Sequence, residues 1–220
     1  MACVQAHAAR NTDGESHVGI RAWIYDRALL PLTTGWYRAV LDRLPEGASL
    51  LDVGIGTAGA LVGNAALVKE RNLRVVGVDI DADYVKQAQK HVADAGLEDR
   101  VRVDLKSIYD FDEKGFDAAY FSASFMLMPD PEAALRHVMG LLAPGGRIFF
   151  TQTFQEKRSP LTERFKPMLK TLTTVDFGQV TYEADFLAVL EKGGLTVLEH
   201  ERLGGRPAWS YRLVVGKPAA

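Results

Sequence analysis

A short glycine-rich stretch is the part of this sequence best suited to bind a ligand for chemistry. It reads Leu-Leu-Asp-Val-Gly-Ile-Gly-Thr-Ala-Gly over residues 50–59, between an apolar strand-like run and a helix-like run. Gly54 and Gly56 permit backbone conformations that a side chain blocks, and they let a ligand approach the main chain closely. A helix that begins beside such a turn directs free N–H groups and its positive dipole end at the ligand. The stretch therefore predicts a nucleotide-cofactor loop.

Two carboxylates stand at informative positions around this loop. Asp79 comes twenty residues after Gly59, at the end of the next predicted strand, where an acid binds ribose hydroxyls. Asp52 precedes Gly54 by two residues, and a buried carboxylate there is costly unless a positive or hydrogen-donating group faces it. The ammonium of a methionine moiety, directly or through water, would be such a group. The loop and the acid alone fit a nicotinamide dinucleotide as well as S-adenosylmethionine.

The elements that must position these residues follow an alternating pattern. Strands are predicted over residues 49–53, 73–78, 101–105, 116–121 and 147–153, and helices over residues 58–71, 82–95 and 131–142. Asp130 is expected to cap the last of these helices, and Gly96 to end the one before it in a left-handed conformation. This alternation predicts a parallel sheet covered on both faces by helices.

The C-terminal part follows a different pattern. A predicted helix over residues 183–191 precedes strands over 195–202 and 210–215, which are separated by a Gly-Gly-Arg-Pro turn. Strands joined so closely must be antiparallel, because a parallel crossover needs about a dozen or more residues. We therefore predict an α/β fold: a Rossmann-like, mostly parallel seven-stranded sheet with helices on both faces and a C-terminal antiparallel hairpin.

The domain organisation is read from the same patterns. Residues 1–17 are polar and aperiodic and are predicted to be a flexible arm, and residues 18–46 a helical cap. Within the cap, helices near 19–30 and 35–44 are expected to be separated by Pro31 and the turn at Gly35. Residues 47–220 form the predicted catalytic domain. Residues 154–182 follow strand five on the rim where open α/β sheets bind ligands, so they are expected to cover the substrate.

Together these features resemble the class I S-adenosylmethionine-dependent methyltransferases, most specifically in residues 50–59, 76–81, 116–121 and 143–150. The segment Trp-Ile-Tyr-Asp at 23–26 is similar to the N-terminal part of small-molecule members such as the ubiquinone/menaquinone and phosphatidylethanolamine methyltransferases. The resemblance implies S-adenosyl-L-methionine as cofactor. It places nine residues around that cofactor: Asp52, Gly54, Gly56 and Thr57 at the methionine end, Asp79 on the ribose, Ile80, Ser107 and Ile108 at the adenine, and Ser122. Ser107 stands where relatives often have an acid, and Asp110 is a possible substitute.

The residues that bind the methyl acceptor are predicted from aromatic and apolar side chains. Tyr25 is expected to orient the substrate and His17 to act as a base where one is needed. Trp36 and Tyr37 fit either an aromatic lid or simple packing on the sheet. Four further residues complete the predicted substrate site: Phe125, Met126, Phe154 and Trp209.

Composition excludes several classes of function. The chain has 220 residues, a formal net charge of −2, 47% hydrophobic residues and a single cysteine, Cys3. This balance fits a cytoplasmic protein without a disulfide framework or an integral membrane segment, although peripheral lipid contact is compatible with it. The weak charge and the sequence Ser-Ala-Ser-Phe at 122–125, in place of an Asp/Asn-Pro-Pro-aromatic motif, argue against nucleic-acid methylation. No carboxylate or histidine set has metal-ligand spacing, and the oligomeric state is not predicted.

We therefore expect a methyltransferase that acts on a small, partly apolar or lipid-like molecule. Two other functions stay open on the sequence alone. One is a nicotinamide-dependent oxidoreductase that uses the same loop. The other is a module that binds S-adenosylmethionine without turning it over.

Overall fold

The computed structural model describes residues 30–155 and 181–219. The helices are α1 (Leu30–Leu41), α2 (Gly59–Val62), α3 (Ala65–Glu70), α4 (Ala82–Asp94), α5 (Pro131–Met139) and α6 (Glu183–Lys192). The strands are β1 (Ser49–Val53), β2 (Arg74–Asp79), β3 (Val101–Leu105), β4 (Phe116–Ser122), β5 (Leu142–Gln155), β6 (Leu195–Arg206) and β7 (Trp209–Pro218).

The seven strands form one sheet in the order β3-β2-β1-β4-β5-β7-β6. Strands β1 to β5 pair in parallel, whereas β7 lies antiparallel between β5 and β6. The chain reverses its strand order beside β1, and open α/β sheets bind ligands outside the carboxyl ends of the strands at such a point. The predicted fold class and the antiparallel C-terminal hairpin are confirmed.

Two apolar layers cover the faces of the sheet, because neighbouring residues of a strand point to opposite sides. Leu50 of β1 and Tyr120 of β4 belong to the layer that packs under α1 and α4. Leu51 and Phe121, one residue further along each strand, belong to the layer under α5 and α6. The two layers thus place successive residues of each strand in different environments.

The helix predicted near 35–44 has different bounds in the structure. It is α1, which covers Leu30–Leu41 and includes Pro31 and Gly35, whereas the helix predicted near 19–30 lies almost entirely outside the described residues. A glycine within a helix costs only about 1 kcal/mol, and α1 buries Trp36 and Tyr37 against the sheet. Each buried aromatic side chain stabilises the fold by more than this cost, at roughly 1.5–3 kcal/mol.

The helix predicted over residues 58–71 is also different in the structure, where it is two short helices, α2 and α3. The break lies at Gly63 and Asn64, and the Asn64 side-chain amide donates to the carbonyls of Thr34 and Ala60. The helix predicted over 131–142 ends earlier, at Met139, and the strand predicted over 147–153 extends over Leu142–Gln155.

The predicted ends of two other helices are confirmed. The Asp130 side chain accepts a hydrogen bond from the backbone N–H of Ala133 at 2.9 Å, so it caps α5. Gly96, which follows α4, has φ of 59°, the left-handed conformation. The flexible arm at 1–17, the first part of the cap and most of the segment 154–182 lie outside the described residues.

Candidate cofactor site

The glycine loop between β1 and α2 has the backbone geometry that its sequence predicts. Gly54 and Gly56 have φ of 75° and 59°, the left-handed region that side chains rarely adopt. The two glycines nevertheless serve different purposes. A Cβ on Gly54 would lie 2.7 Å from the Cβ of Ser124, whereas a Cβ on Gly56 would have no atom within 4 Å. Gly54 is required by packing, and Gly56 leaves open space above the loop.

That open space is part of a cleft of about 360 Å³, including its solvent-facing part, between α1 and the loop. From α1 it is lined by Leu30, Thr33 and Tyr37. From the loop and the end of β4 it is lined by Gly56 and Ser122, among others. The cleft lies at the carboxyl ends of β1 and β4.

Asp79 connects the loop to the end of β2. One carboxylate oxygen, Oδ2, accepts a hydrogen bond from the Gly56 N–H at 2.9 Å, and the other, Oδ1, accepts one from the Asp81 N–H at 3.0 Å. The cap of α4 is Asp81, whose side chain accepts from the N–H groups of Asp83 and Tyr84. Asp79 is therefore not the helix cap, and its half-buried carboxylate lies next to Gly56, which lines the cleft.

Asp52 is the most unusual charged residue of the site, because it is completely buried. Its Oδ2 accepts a hydrogen bond of 2.7 Å from the Tyr37 hydroxyl. Its Oδ1 has no hydrogen-bond partner among the described residues. Burial raises the pKa of Asp52 to about 7, the Tyr37 hydrogen bond opposes this rise, and the negative charge of Asp79 adds to it. A buried acceptor in this state fits a ligand that brings a cation or a hydrogen-bond donor.

Sequence analysis missed a group of buried hydroxyls beside Asp52. The Tyr120 ring packs edge-on against the Tyr37 ring, with centroids 4.9 Å apart. Its hydroxyl lies 2.7 Å from Oγ1 of Thr151 on β5, and burial raises the pKa of Tyr120 well above its usual range. The sequence signal for this group was a tyrosine within the otherwise apolar run of residues 118–121 in β4.

The predicted adenine-binding residues are differently exposed. Ile80 follows Asp79 and is 77% exposed, which leaves its side chain available to a ligand. Ser107 accepts a hydrogen bond from the Tyr109 N–H and caps a 3-10 turn, while Ile108 is buried in the layer under α5. The Thr57 carbonyl lies 2.8 Å from Nδ1 of His91 on α4, which ties that helix to the loop. The ligand contacts of these residues stay predictions.

The four predicted acceptor residues are not brought together at the cleft. Phe125 and Phe154 are each 1% exposed and pack against Phe186 on the α6 face of the sheet. Met126 packs on the same apolar layer, and Trp209 is half exposed at the start of β7. Phe125 and Phe154 are thus core residues in this structure. Tyr25 and His17 lie outside the described residues.

Within residues 30–155 and 181–219, no group of three or more His, Cys, Asp or Glu side chains is arranged to hold a metal ion. His91 and His137 are half-buried and lie within hydrogen-bonding distance of the carbonyls of Thr57 and Phe111, respectively. In the same part of the chain, every helix is too short or too polar to cross a bilayer.

Comparison with known proteins gives this site a family context. Residues 51–150 match the family model described as a methyltransferase domain. Methyltransferase GfsG of Streptomyces halstedii is 28% identical over 158 residues, which are 70% of this chain and 54% of that protein. A ubiquinone biosynthesis O-methyltransferase of Xanthomonas axonopodis pv. citri is 31% identical over 125 residues, 56% of this chain and 50% of the relative. The chain thus spans about half the length of the curated relatives it matches.

The fold comparison agrees with the domain match. The solved structure of a geranyl diphosphate methyltransferase in complex with S-adenosylmethionine superposes with a TM-score of 0.67 at 15% identity. The superposition covers 96% of this chain and 93% of that chain. Residues 51–150 of this chain therefore match a methyltransferase domain, and the chain shares its fold with a solved methyltransferase that binds S-adenosylmethionine.

Proposed function

We propose that this protein transfers a methyl group from S-adenosylmethionine to a small, partly apolar or lipid-like acceptor. The observation that carries the proposal is Asp52. Its Oδ1 has no partner within the described part of the chain, and its Oδ2 is hydrogen-bonded to Tyr37, which lines the cleft. A cofactor with an ammonium group at one end and a ribose diol nearby suits this site, because Asp79 accepts a hydrogen bond from Gly56, which lines the cleft. A nicotinamide dinucleotide brings two ribose diols but no amino-acid ammonium, so it suits Asp52 poorly.

In this proposal each part of the loop has a separate task. Asp52 and the loop from Gly54 to Thr57 hold the methionine end, and Asp79 holds the ribose. Ile80 covers the adenine, with Ser107, Ile108 and Ser122 completing the predicted contacts. Asp79 also fixes the loop through the Gly56 N–H, so ribose binding and loop geometry depend on one side chain.

The bound cofactor supplies an activated methyl group on its sulfonium. The protein contributes position and alignment, which are worth roughly 7–11 kcal/mol for a well-oriented reaction. The loop and α1 confine the cleft from two sides, and Leu30 and Tyr37 give it apolar and aromatic surface. A general base is required only where the accepting atom is protonated. We keep His17 as the candidate base and Tyr25 as the candidate residue that orients the substrate.

The choice of acceptor rests on the relatives and on the cleft wall. One relative is named for ubiquinone biosynthesis, and one solved structure is named for geranyl diphosphate. Ubiquinone and geranyl diphosphate each combine an apolar chain with a polar end. The setting belongs to the same proposal: a cytoplasmic enzyme whose partner is a small molecule and not nucleic acid.

The decisive experiment measures S-adenosylhomocysteine release from the purified protein across a panel of amines, thiols, phenols and quinones. Release that depends on both S-adenosylmethionine and one acceptor class supports the proposal. Calorimetry with S-adenosylhomocysteine and with NAD runs in parallel. Binding of NAD alone would favour an oxidoreductase, and S-adenosylmethionine binding without turnover of any acceptor would favour a binding module.

The two loop glycines offer a first prediction. Gly54→Ala and Gly56→Ala both place a side chain at positive φ, at a cost of about 1–2 kcal/mol. Gly54→Ala also drives a methyl group against Ser124, so its melting temperature should fall clearly below that of Gly56→Ala. Gly56→Ala should stay folded but lose S-adenosylhomocysteine affinity, because its methyl group enters the cleft. Thermal melts and calorimetry on both variants check this, and equal melting temperatures would contradict it.

A further inference from the structure

Tyr37 connects the cleft to the buried carboxylate of Asp52. Its side chain lines the cleft from α1, and its hydroxyl donates to Asp52 Oδ2 at 2.7 Å. The two residues are fifteen positions apart in the chain and belong to different elements. Tyr37 is 3% exposed, and its ring is held edge-on by Tyr120. The Tyr37 ring is therefore held by Tyr120 of β4, and the Tyr37 hydroxyl is held by Asp52.

We propose that Tyr37 is a positioning residue: its hydroxyl occupies Oδ2 of Asp52 and thereby holds the carboxylate ionised, with Oδ1 left to accept the ammonium of the cofactor's methionine end. The inference rests on the proposed function and goes beyond it, because it couples α1 to recognition of one chemical group of the cofactor. It also predicts that the effect of Tyr37 depends on the ligand. Loss of the Tyr37 hydroxyl should leave the affinity for nucleosides that lack the amino-acid moiety unchanged.

The charged and titratable groups around Asp52 support this role. Tyr37 faces it from α1, Asp79 lies at the end of β2, and Tyr120 pairs with it in register from β4. Burial and the Asp79 charge favour the protonated carboxyl. Among the described residues, the Tyr37 hydrogen bond is the interaction that favours the ionised form. Without that hydroxyl, the pKa of Asp52 should rise further above about 7.

A cationic ligand binds the ionised carboxylate, so affinity should increase as pH rises through the pKa of Asp52 and then level off. In the wild type this increase should fall between about pH 6 and pH 8, given the pKa of about 7. In Tyr37→Phe the increase should move to higher pH.

The test compares two ligands and three proteins by isothermal titration calorimetry. The ligands are S-adenosylhomocysteine, which carries the ammonium, and 5′-deoxy-5′-methylthioadenosine, which lacks it. The proteins are the wild type, Tyr37→Phe and Tyr109→Phe. Tyr109→Phe is the matched control, because it also removes a tyrosine hydroxyl from a hydrogen bond, here to the Asp130 backbone. Each titration is repeated at about pH 6, 7 and 8.

We expect Tyr37→Phe to lose about tenfold in S-adenosylhomocysteine affinity near pH 7, the size of one hydrogen bond. Its affinity for 5′-deoxy-5′-methylthioadenosine should stay within about twofold of wild type. Equal losses for both ligands would assign Tyr37 a purely structural role and overturn the inference. So would a wild-type S-adenosylhomocysteine affinity that does not change with pH, a result that needs no variant to fold. Wild-type protein that binds neither ligand would instead refute the proposed function itself.

Discussion

Asp52→Asn is expected to make the free protein more stable above pH 7. Burial raises the pKa of Asp52 from 3.8 to about 7 in the folded state. Between pH 3.8 and pH 7 the folded protein therefore holds a proton that the unfolded chain has released. The contribution of this proton to the stability of the folded protein is fully present below pH 3.8 and is lost as the pH rises through 7. A shift of this size corresponds to about 4 kcal/mol.

Asparagine keeps the acceptor for Tyr37 and removes the buried charge. Its amide N–H groups lack a partner where Oδ1 stood, which costs about 1–3 kcal/mol. The net gain is therefore about 2 kcal/mol, or about 4–8 °C in melting temperature for a chain of this length.

Melts at pH 5, 6, 7 and 8 should show the gain growing with pH. Asp83→Asn, an exposed carboxylate, should show no such trend. A gain that is the same at every pH would refute the buried-charge explanation.

The same substitution should strongly weaken cofactor binding. Removing one partner of a buried ion pair costs about 3–5 kcal/mol, which is at least two orders of magnitude in affinity. Calorimetry with S-adenosylhomocysteine at pH 8 measures it. Stability and affinity should thus change in opposite directions. A variant that binds as tightly as wild type would show that the ammonium is held elsewhere.

Asp79→Asn carries the second large effect. Each Asp79 oxygen accepts a backbone N–H, from Gly56 and from Asp81. An asparagine would turn its amide nitrogen toward one of these donors, and a ribose hydroxyl would lose a charged acceptor. Hydrogen bonds to charged groups are worth about 1.5–3 kcal/mol, so affinity for S-adenosylhomocysteine should fall by about 10–100-fold.

Asp81→Asn is the matched control for this prediction. Asp81 caps α4 through the N–H groups of Asp83 and Tyr84, and asparagine caps helices about as well as aspartate. Its melting temperature and its affinity should both stay close to wild type. If Asp79→Asn loses melting temperature while its affinity is unchanged, Asp79 serves the loop and not the ribose.

Local sequence was sufficient to predict the glycine loop, the alternation of strands and helices along the chain, and two of the helix ends. The left-handed glycines at 54 and 56, the cap at Asp130 and the left-handed Gly96 all depend on conformations set within a few residues. The alternation of apolar strands and helices, and the short C-terminal turn, likewise sufficed for a parallel sheet with an antiparallel hairpin. These features depend on near neighbours, which the sequence displays directly.

Other features were decided only when distant elements packed. Whether a residue such as Phe154 faces α1 or α6 depends on a single-residue offset along its strand, and the pattern of an almost wholly apolar strand does not reveal that offset. The Tyr37 bond to Asp52 and the Ser124 contact that requires Gly54 join elements far apart in the chain. A buried carboxylate obtains its pKa and its partners from whatever side chains the fold brings around it. The identity of Asp52 was therefore visible in the sequence, whereas its chemistry depends on tertiary packing that excludes water and places Tyr37 and Asp79 beside it.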